Sequence, residues 1–125
     1  MAAVKTTTPT ALATNLVVQI DADENANNNV TGGAGSLYML KVDTTANTPT
    51  TAEPGCYVKV ADGNISVTST APGLVFYVPH GTISTMVIPT GWAFSTNLSF
   101  YCVIGAALSS NSPPSAKVVV TILAS

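Results

Sequence analysis

The only histidine of the chain, His80, sits in a Pro79-His80-Gly81 turn. An imidazole can act as a general base near neutral pH. Here a His-centred triad rests on that one loop residue, and no Gly-x-Ser-x-Gly nucleophile elbow occurs. His80 therefore reads as an exposed turn residue. Cys56 and Cys102 both fall on the inward faces of extended segments. A thiol nucleophile wants a nearby base and an electropositive setting, and neither is evident. The pair reads as buried reduced thiols, with a disulfide as the alternative. Asp21-Ala22-Asp23-Glu24-Asn25 opens like a calcium loop, but the sixth and twelfth positions are Ala26 and Gly32. An EF-hand needs Gly and Glu there, so one is excluded. A looser oxygen-ligand site from Asp21, Asp23 and Asn25 stays open beside the plainer reading of a solvated turn.

Other motifs carry less. Gly32-Gly33-Ala34-Gly35 lacks the G-x-G-x-x-G spacing and a following helix, so it is no phosphate loop. Asn29-Val30-Thr31, Asn64-Ile65-Ser66 and Asn97-Leu98-Ser99 are formal glycosylation sequons. No apolar run follows Lys5 to make a signal peptide, so synthesis in a cytoplasm is expected and the sequons are discounted. Trp92, Tyr57, Tyr77 and Tyr101 could stack on sugars, although the chain has few aromatics and Trp92 reads better as a core-edge or subunit contact. Nothing here reads as an enzyme, and no metal or cofactor is expected.

The elements that hold these residues read as strands. Leu16, Val18 and Ile20 share one face of an alternating segment, and Asn15, Gln19 and Asp21 the other. Residues 22–35 and 43–55 are rich in turn formers and read as loops. Tyr38–Val42, Cys56–Val60, Leu74–Val78, Thr82–Ile88, a short Ala93–Thr96, Leu98–Ile104 and Lys117–Leu123 complete the set. No segment has a 3.6-residue apolar period, and β-branched and aromatic residues dominate the runs. The expected fold is all-β: a single antiparallel β-sandwich of the jelly-roll or Greek-key kind with 7–8 strands. It spans residues 14–125, behind an extended N-terminal arm at 1–13.

Several strands are apolar on both faces. Tyr101 and Val103 back Phe100 and Cys102, Val119 and Leu123 back Val118, Val120 and Ile122, and Val75 and Tyr77 back Leu74, Phe76 and Val78. A two-layer sandwich buries one face of each strand, so the second face should meet something else, most simply another subunit. Composition points the same way. The 125 residues include four Lys, no Arg and six acids. That is 8 % charged, against about a quarter in ordinary domains. Thr (18), Ser (11) and Asn (9) fill the gap. A net charge of −2 without Arg is unsuited to nucleic-acid phosphates. No basic amphipathic face is present for an anionic membrane, and the longest strictly apolar run, Leu74–Val78, is far short of a membrane span.

Leu37-Tyr38, Lys41-Val42-Asp43-Thr44-Thr45-Ala46-Asn47, Cys56-Tyr57-Val58-Lys59, Ile88-Pro89-Thr90-Gly91-Trp92-Ala93-Phe94-Ser95-Thr96 and Val118-Val119-Val120-Thr121-Ile122-Leu123 together form a pattern. It resembles short virion structural proteins of tailed bacteriophages, over residues 36–123. Trp92 departs from it, standing where many such proteins have an aliphatic residue. The resemblance implies a capsid decoration, or cement, protein: a small β-sandwich, usually a homotrimer, that binds the outer capsid surface and clamps neighbouring major capsid proteins. Such a protein needs no active site. Its expected partner contacts are Ala2, Val4, Thr6, Thr8 and Leu12 on the arm, with Tyr101, Val103 and Val119 on second strand faces. The alternative is a tail or head-fibre component that binds host glycans.

Overall fold

The computed structural model describes residues 13–125. Among them lie seven strands and no helix: β1 (Asn15–Gln19), β2 (Gly35–Asp43), β3 (Gly55–Asp62), β4 (Leu74–Pro79), β5 (Ile83–Phe94), β6 (Leu98–Val103) and β7 (Val119–Ala124). They form a four-stranded sheet in the order β1-β7-β2-β5 and a three-stranded sheet in the order β4-β3-β6. Every pairing is antiparallel.

The expected loop at 22–35 does more than connect. Asn27 and Phe100 exchange backbone hydrogen bonds at 2.8 and 3.1 Å, the Cys102 amide donates to the Asp23 carbonyl, and the Val30 amide donates to the Leu98 carbonyl. Residues 22–30 thus run along the free edge of β6, with too many Asn residues to keep a regular ladder. Counting this segment, the chain crosses between the layers in jelly-roll order with four members per sheet.

The core lies between the layers. Leu40, Val42, Val120 and Ile122 from one sheet meet Cys56, Val58, Val78, Phe100 and Cys102 from the other, all fully buried. The four-stranded sheet departs from the sequence reading in two places. Ile83–Phe94 is one strand where two short ones are expected. β5 is an edge strand, so Pro89, with no amide hydrogen, is tolerated there. Residues 88–91 bulge opposite Tyr38, and the pairing resumes at Leu37 and Trp92. Gly91 makes the bulge possible. Its φ is +79°, and a Cβ there would lie 2.8 Å from the Ser36 Cβ and 2.9 Å from the Tyr38 ring.

The second departure is β1, whose apolar alternation points outward: Leu16, Val18 and Ile20 are 66, 53 and 69 % exposed. Val17 packs on the core in their place. Gln19, on the inward side, is satisfied by donating to the Asn27 Oδ1 at 2.9 Å.

Tyr101 and Val103 also require correction. Both are fully buried. Ala61, Ile65, Ala26 and Val67 form a small second core with them, so the chain's own loops cover the outer face of β6. Neither residue is available to a partner.

Candidate functional site

The outer side of the three-stranded sheet holds a buried ammonium. Lys59 and Tyr101 are direct cross-strand partners on β3 and β6, and both are fully buried. The Lys59 Nζ donates to the Ala107 carbonyl at 2.8 Å and lies 5.7 Å from the centre of the Tyr101 ring. The same carbonyl accepts from the Ser110 amide at 3.0 Å, so a turn of the 104–112 loop closes over the lysine. Burial lowers the Lys59 pKa and raises that of Tyr101, because each loses water around its charged form. The Tyr101 hydroxyl has no hydrogen-bond partner. A buried amine beside a phenol invites a catalytic reading, but the loop leaves no way in. Among the described residues there is no pocket and no cluster of three metal-ligating side chains.

His80 is also buried, not the exposed turn residue expected. Its Nε2 lies 3.0 Å from a Glu53 carboxylate oxygen. Glu53 further accepts from the Ser115 amide at 2.8 Å and from the Ser115 hydroxyl. Serine, carboxylate and imidazole meet here in the wrong order for a triad. A nucleophilic serine must give its proton to the histidine, whereas the Ser115 hydroxyl points at the carboxylate. Burial pushes the Glu53 carboxyl upward, but the two Ser115 hydrogen bonds, with His80, outweigh it and hold the group below its ordinary value. The cluster continues inward. The Asn47 amide nitrogen donates to the Ala116 and Lys117 carbonyls at 3.2 and 3.0 Å, and its oxygen accepts from the Ala116 amide at 2.8 Å. The Thr44 hydroxyl lies within hydrogen-bond reach of the Pro79 and Thr82 carbonyls, at 2.8 and 2.9 Å. Three loops are tied together at one end of the sandwich.

Cys56 and Cys102 are free and buried, and each thiol is the strongest influence on the other's ionisation. The neighbouring thiol lowers the Cys56 pKa and raises that of Cys102, with burial adding to the latter. In the 21–25 turn the Asp23 carboxylate accepts from the Asn25 amide at 2.9 Å, which caps the turn internally. Trp92 is half-buried against the core and pairs with Phe94 at 6.5 Å.

What remains is a surface. The register lines up the outward residues of the four-stranded sheet in rows. Leu16 faces Leu123, Leu123 faces Met39, and Met39 faces Val87, so one row is apolar across all four strands. The next row is Val18, Thr121, Lys41 and Thr85. The third joins Val119, Asp43 and Ile83, with Ile20 just past the end of β1. Val87 and Ile83 are 64 and 55 % exposed. Of the expected partner contacts, Val119 lies on this face, half-buried. Ala2, Val4, Thr6, Thr8 and Leu12 lie outside the described residues. Sequence reasoning named none of Leu16, Val18, Ile20, Ile83 and Val87 as contacts, since alternation alone does not say which face of a strand looks inward. The available signal was Val17, an apolar residue on the supposedly polar face of the first strand.

Comparisons of the chain with protein-family models, curated proteins and solved structures found no match.

Proposed function

We propose that the chain is a structural protein of a bacteriophage virion, a capsid decoration protein that binds the outer capsid surface and clamps neighbouring major capsid proteins. The observation that carries the reading is the outward face of the four-stranded sheet. It exposes a continuous apolar row in a chain with ten charges, and large exposed apolar patches mark interaction surfaces. The sequence resemblance supplies the kind of assembly. Jelly rolls serve viral capsids and lectins alike, so the fold by itself selects neither use. On this reading the 1–13 segment adds contacts to the capsid, and the protein works as an oligomer rather than alone.

The test is location and effect together. Cryo-EM of purified particles should place the chain on the outer surface of the head. Capsids carrying it should outlast stripped capsids on heating, and deletion of residues 6–13 should weaken that protection. Density confined to the tail, or heat stability indifferent to the protein, would sink the proposal.

One observation favours the glycan-binding alternative. Tyr57 and Tyr77 are cross-strand partners with ring centres 5.0 Å apart, and Tyr77 and the adjacent Val75 are exposed. Binding on a glycan array that disappears with Tyr77→Ala would support that reading, and an empty array would dismiss it.

A further inference from the structure

We infer that Lys59, beneath the 104–112 loop, anchors a binding site for a monocarboxylate with an apolar body, which enters by displacing the Ala107 carbonyl from the ammonium. The site lies on the three-stranded sheet and does not depend on a virion.

A buried charge is ordinarily paired. Among the described residues the one ion pair joins His80 to Glu53, and no carboxylate reaches Lys59. Its ammonium has three donors, and one is used, on the Ala107 carbonyl at 2.8 Å. The hydroxyl of Tyr101, the cross-strand partner of Lys59, is buried without a hydrogen-bond partner. A cation and an unused hydroxyl on neighbouring strands, with no acid beside them, leave the site short of one negative charge.

The cover over Lys59 is weakly held. No residue of 104–112 belongs to either hydrophobic core, and residues 106–109 are exposed. The loop is closed at its base by the Ile104 amide on the Ser112 carbonyl, and internally by the Ser110 amide on the Ala107 carbonyl, both at 3.0 Å. Among the described residues, the Lys59 bond is the only hydrogen bond that ties 105–111 to the rest of the protein. Segments with few buried apolar contacts open locally at low cost. The closed loop leaves no way in, so binding requires it to lift. The Ala107 carbonyl keeps its Ser110 partner when Lys59 lets go, and lifting therefore orphans no acceptor. A carboxylate oxygen then takes the carbonyl's place. The exchange puts a charged acceptor where a neutral one stood, and a hydrogen bond between charged groups is roughly twice as strong. No preformed cavity is needed.

The surroundings set the class of ligand. One ammonium and one hydroxyl match one carboxylate. A phosphate dianion calls for more charge or a nest of backbone amides. On its other side Lys59 is paired with Val75 of β4, which is exposed, and the next row sets the exposed Tyr77 beside Tyr57. An apolar or aromatic body attached to the carboxylate rests on Val75 and Tyr77.

The probe is benzoate, with benzamide as its neutral isostere, titrated into the full isotope-labelled chain in a buffer free of other carboxylates. Benzoate should bind with a millimolar Kd, the strength of one charge pair with modest apolar burial, and should raise the Tm saturably. The amide resonances of Ala107, Leu108 and Ser110 should shift along the same isotherm, since the loop must move. Benzamide should change neither. Lys59→Met, which keeps the stem, should bind benzoate at least tenfold more weakly. Lys41→Met, at an exposed lysine of the other sheet, should bind as the wild type does. Absence of saturable binding at tens of millimolar benzoate would overturn the inference. So would equal binding by Lys59→Met, an equal response to benzamide, or saturable binding that leaves the 104–112 amides unshifted.

Discussion

Lys59 offers the sharpest check on the energetics of this fold. A fully buried ammonium has three donors, and here one of them is used, on the Ala107 carbonyl at 2.8 Å. A hydrogen bond from a charged group contributes about 1.5–3 kcal/mol. The Tyr101 ring at 5.7 Å adds about 0.5–2 kcal/mol. Against these stands an effective desolvation cost of several kcal/mol per buried ion. The terms nearly cancel. Lys59→Met keeps the buried stem, removes the charge and sets a sulfur by the Tyr101 ring, a contact of about 0.3–1.5 kcal/mol. The Ala107 carbonyl is not orphaned, because it still accepts from the Ser110 amide. Lys59→Met should therefore leave stability unchanged or raise it by up to about 2 kcal/mol. At about 3–5 °C per kcal/mol for a chain of this size, the Tm gain is at most about 10 °C. Lys59→Ala, which also empties the space under the 104–112 loop, should fall about 2–4 kcal/mol below the Met variant.

Urea unfolding followed across pH separates charge from packing. The folded-state pKa of Lys59 is lowered from 10.5 by burial. Between that lowered value and 10.5 the unfolded chain holds more protons, so stability rises with pH in that window. Lys59→Met should abolish that rise. Tyr101 acts in the opposite sense, and only above its ordinary value of 10.0, so the comparison is made below that pH. If Lys59→Met lost more than about 2 kcal/mol and matched Lys59→Ala, the ammonium would be a net stabilising pin and this reasoning would be wrong.

Two further outcomes follow from the turns. Glu53→Ala removes the acceptor for the Ser115 amide, the Ser115 hydroxyl and His80, and should cost about 2–3 kcal/mol at neutral pH. The folded-state pKa of Glu53 is depressed, so this stabilisation is present above 4.5 and fades as the pH falls through the folded value. The wild-type and Glu53→Ala urea midpoints should therefore converge in acid, and a constant gap would contradict the assignment. Gly91→Ala should cost about 1–3 kcal/mol more than Gly32→Ala. Both glycines have φ near +80°, but a Cβ at position 32 meets open space, whereas at 91 it meets Ser36 and Tyr38. Equal thermal shifts for the two variants would show that only backbone strain matters there.

The layer structure was legible because alternation is a two-residue signal. Leu40 and Val42, Cys56, Val58 and Val60, and Phe100 and Cys102 are inward as the pattern says. Which apolar face of a strand looks inward is a different question, and alternation does not answer it. Leu16, Val18 and Ile20 outnumber Val17 on their strand, yet Val17 is the one packed on the core. The decision is made by neighbours distant in sequence, here the contact of Gln19 with Asn27 that makes a polar inward side tolerable. The same holds for Tyr101 and Val103. Their apolar character is plain in the sequence, but Ile65 and Val67, some 35 residues away, cover them. His80 was misread because turn residues are usually solvated, and its cover comes from Glu53 and the loop that Ser115 anchors.

The scarcity of charge acquires a structural account once each carboxylate is placed. Asp23 accepts from the Asn25 amide, and Asp43 from the Thr45 amide and hydroxyl. Asp62 accepts from the Ser95 and Thr96 amides, and Glu53 from Ser115. Four of the six acids thus serve as internal caps for turns, satisfying backbone donors that would otherwise compete with the strands. Hydrogen bonds to the charged form depress the carboxyl pKa values of Asp43 and Asp62, the Thr45 hydroxyl acting most strongly on the first and the Ser95 amide on the second. One of the four lysines is buried altogether. Little charge is left to keep sheet faces apart in water, and the four-stranded sheet exposes its apolar row with Lys41 and Asp43 close beside it. Natural sandwiches guard such faces and edges with charge where association must be avoided. Here the carboxylates are committed to the turns while an apolar row stays open, which is the distribution expected of a chain that completes its surface by associating.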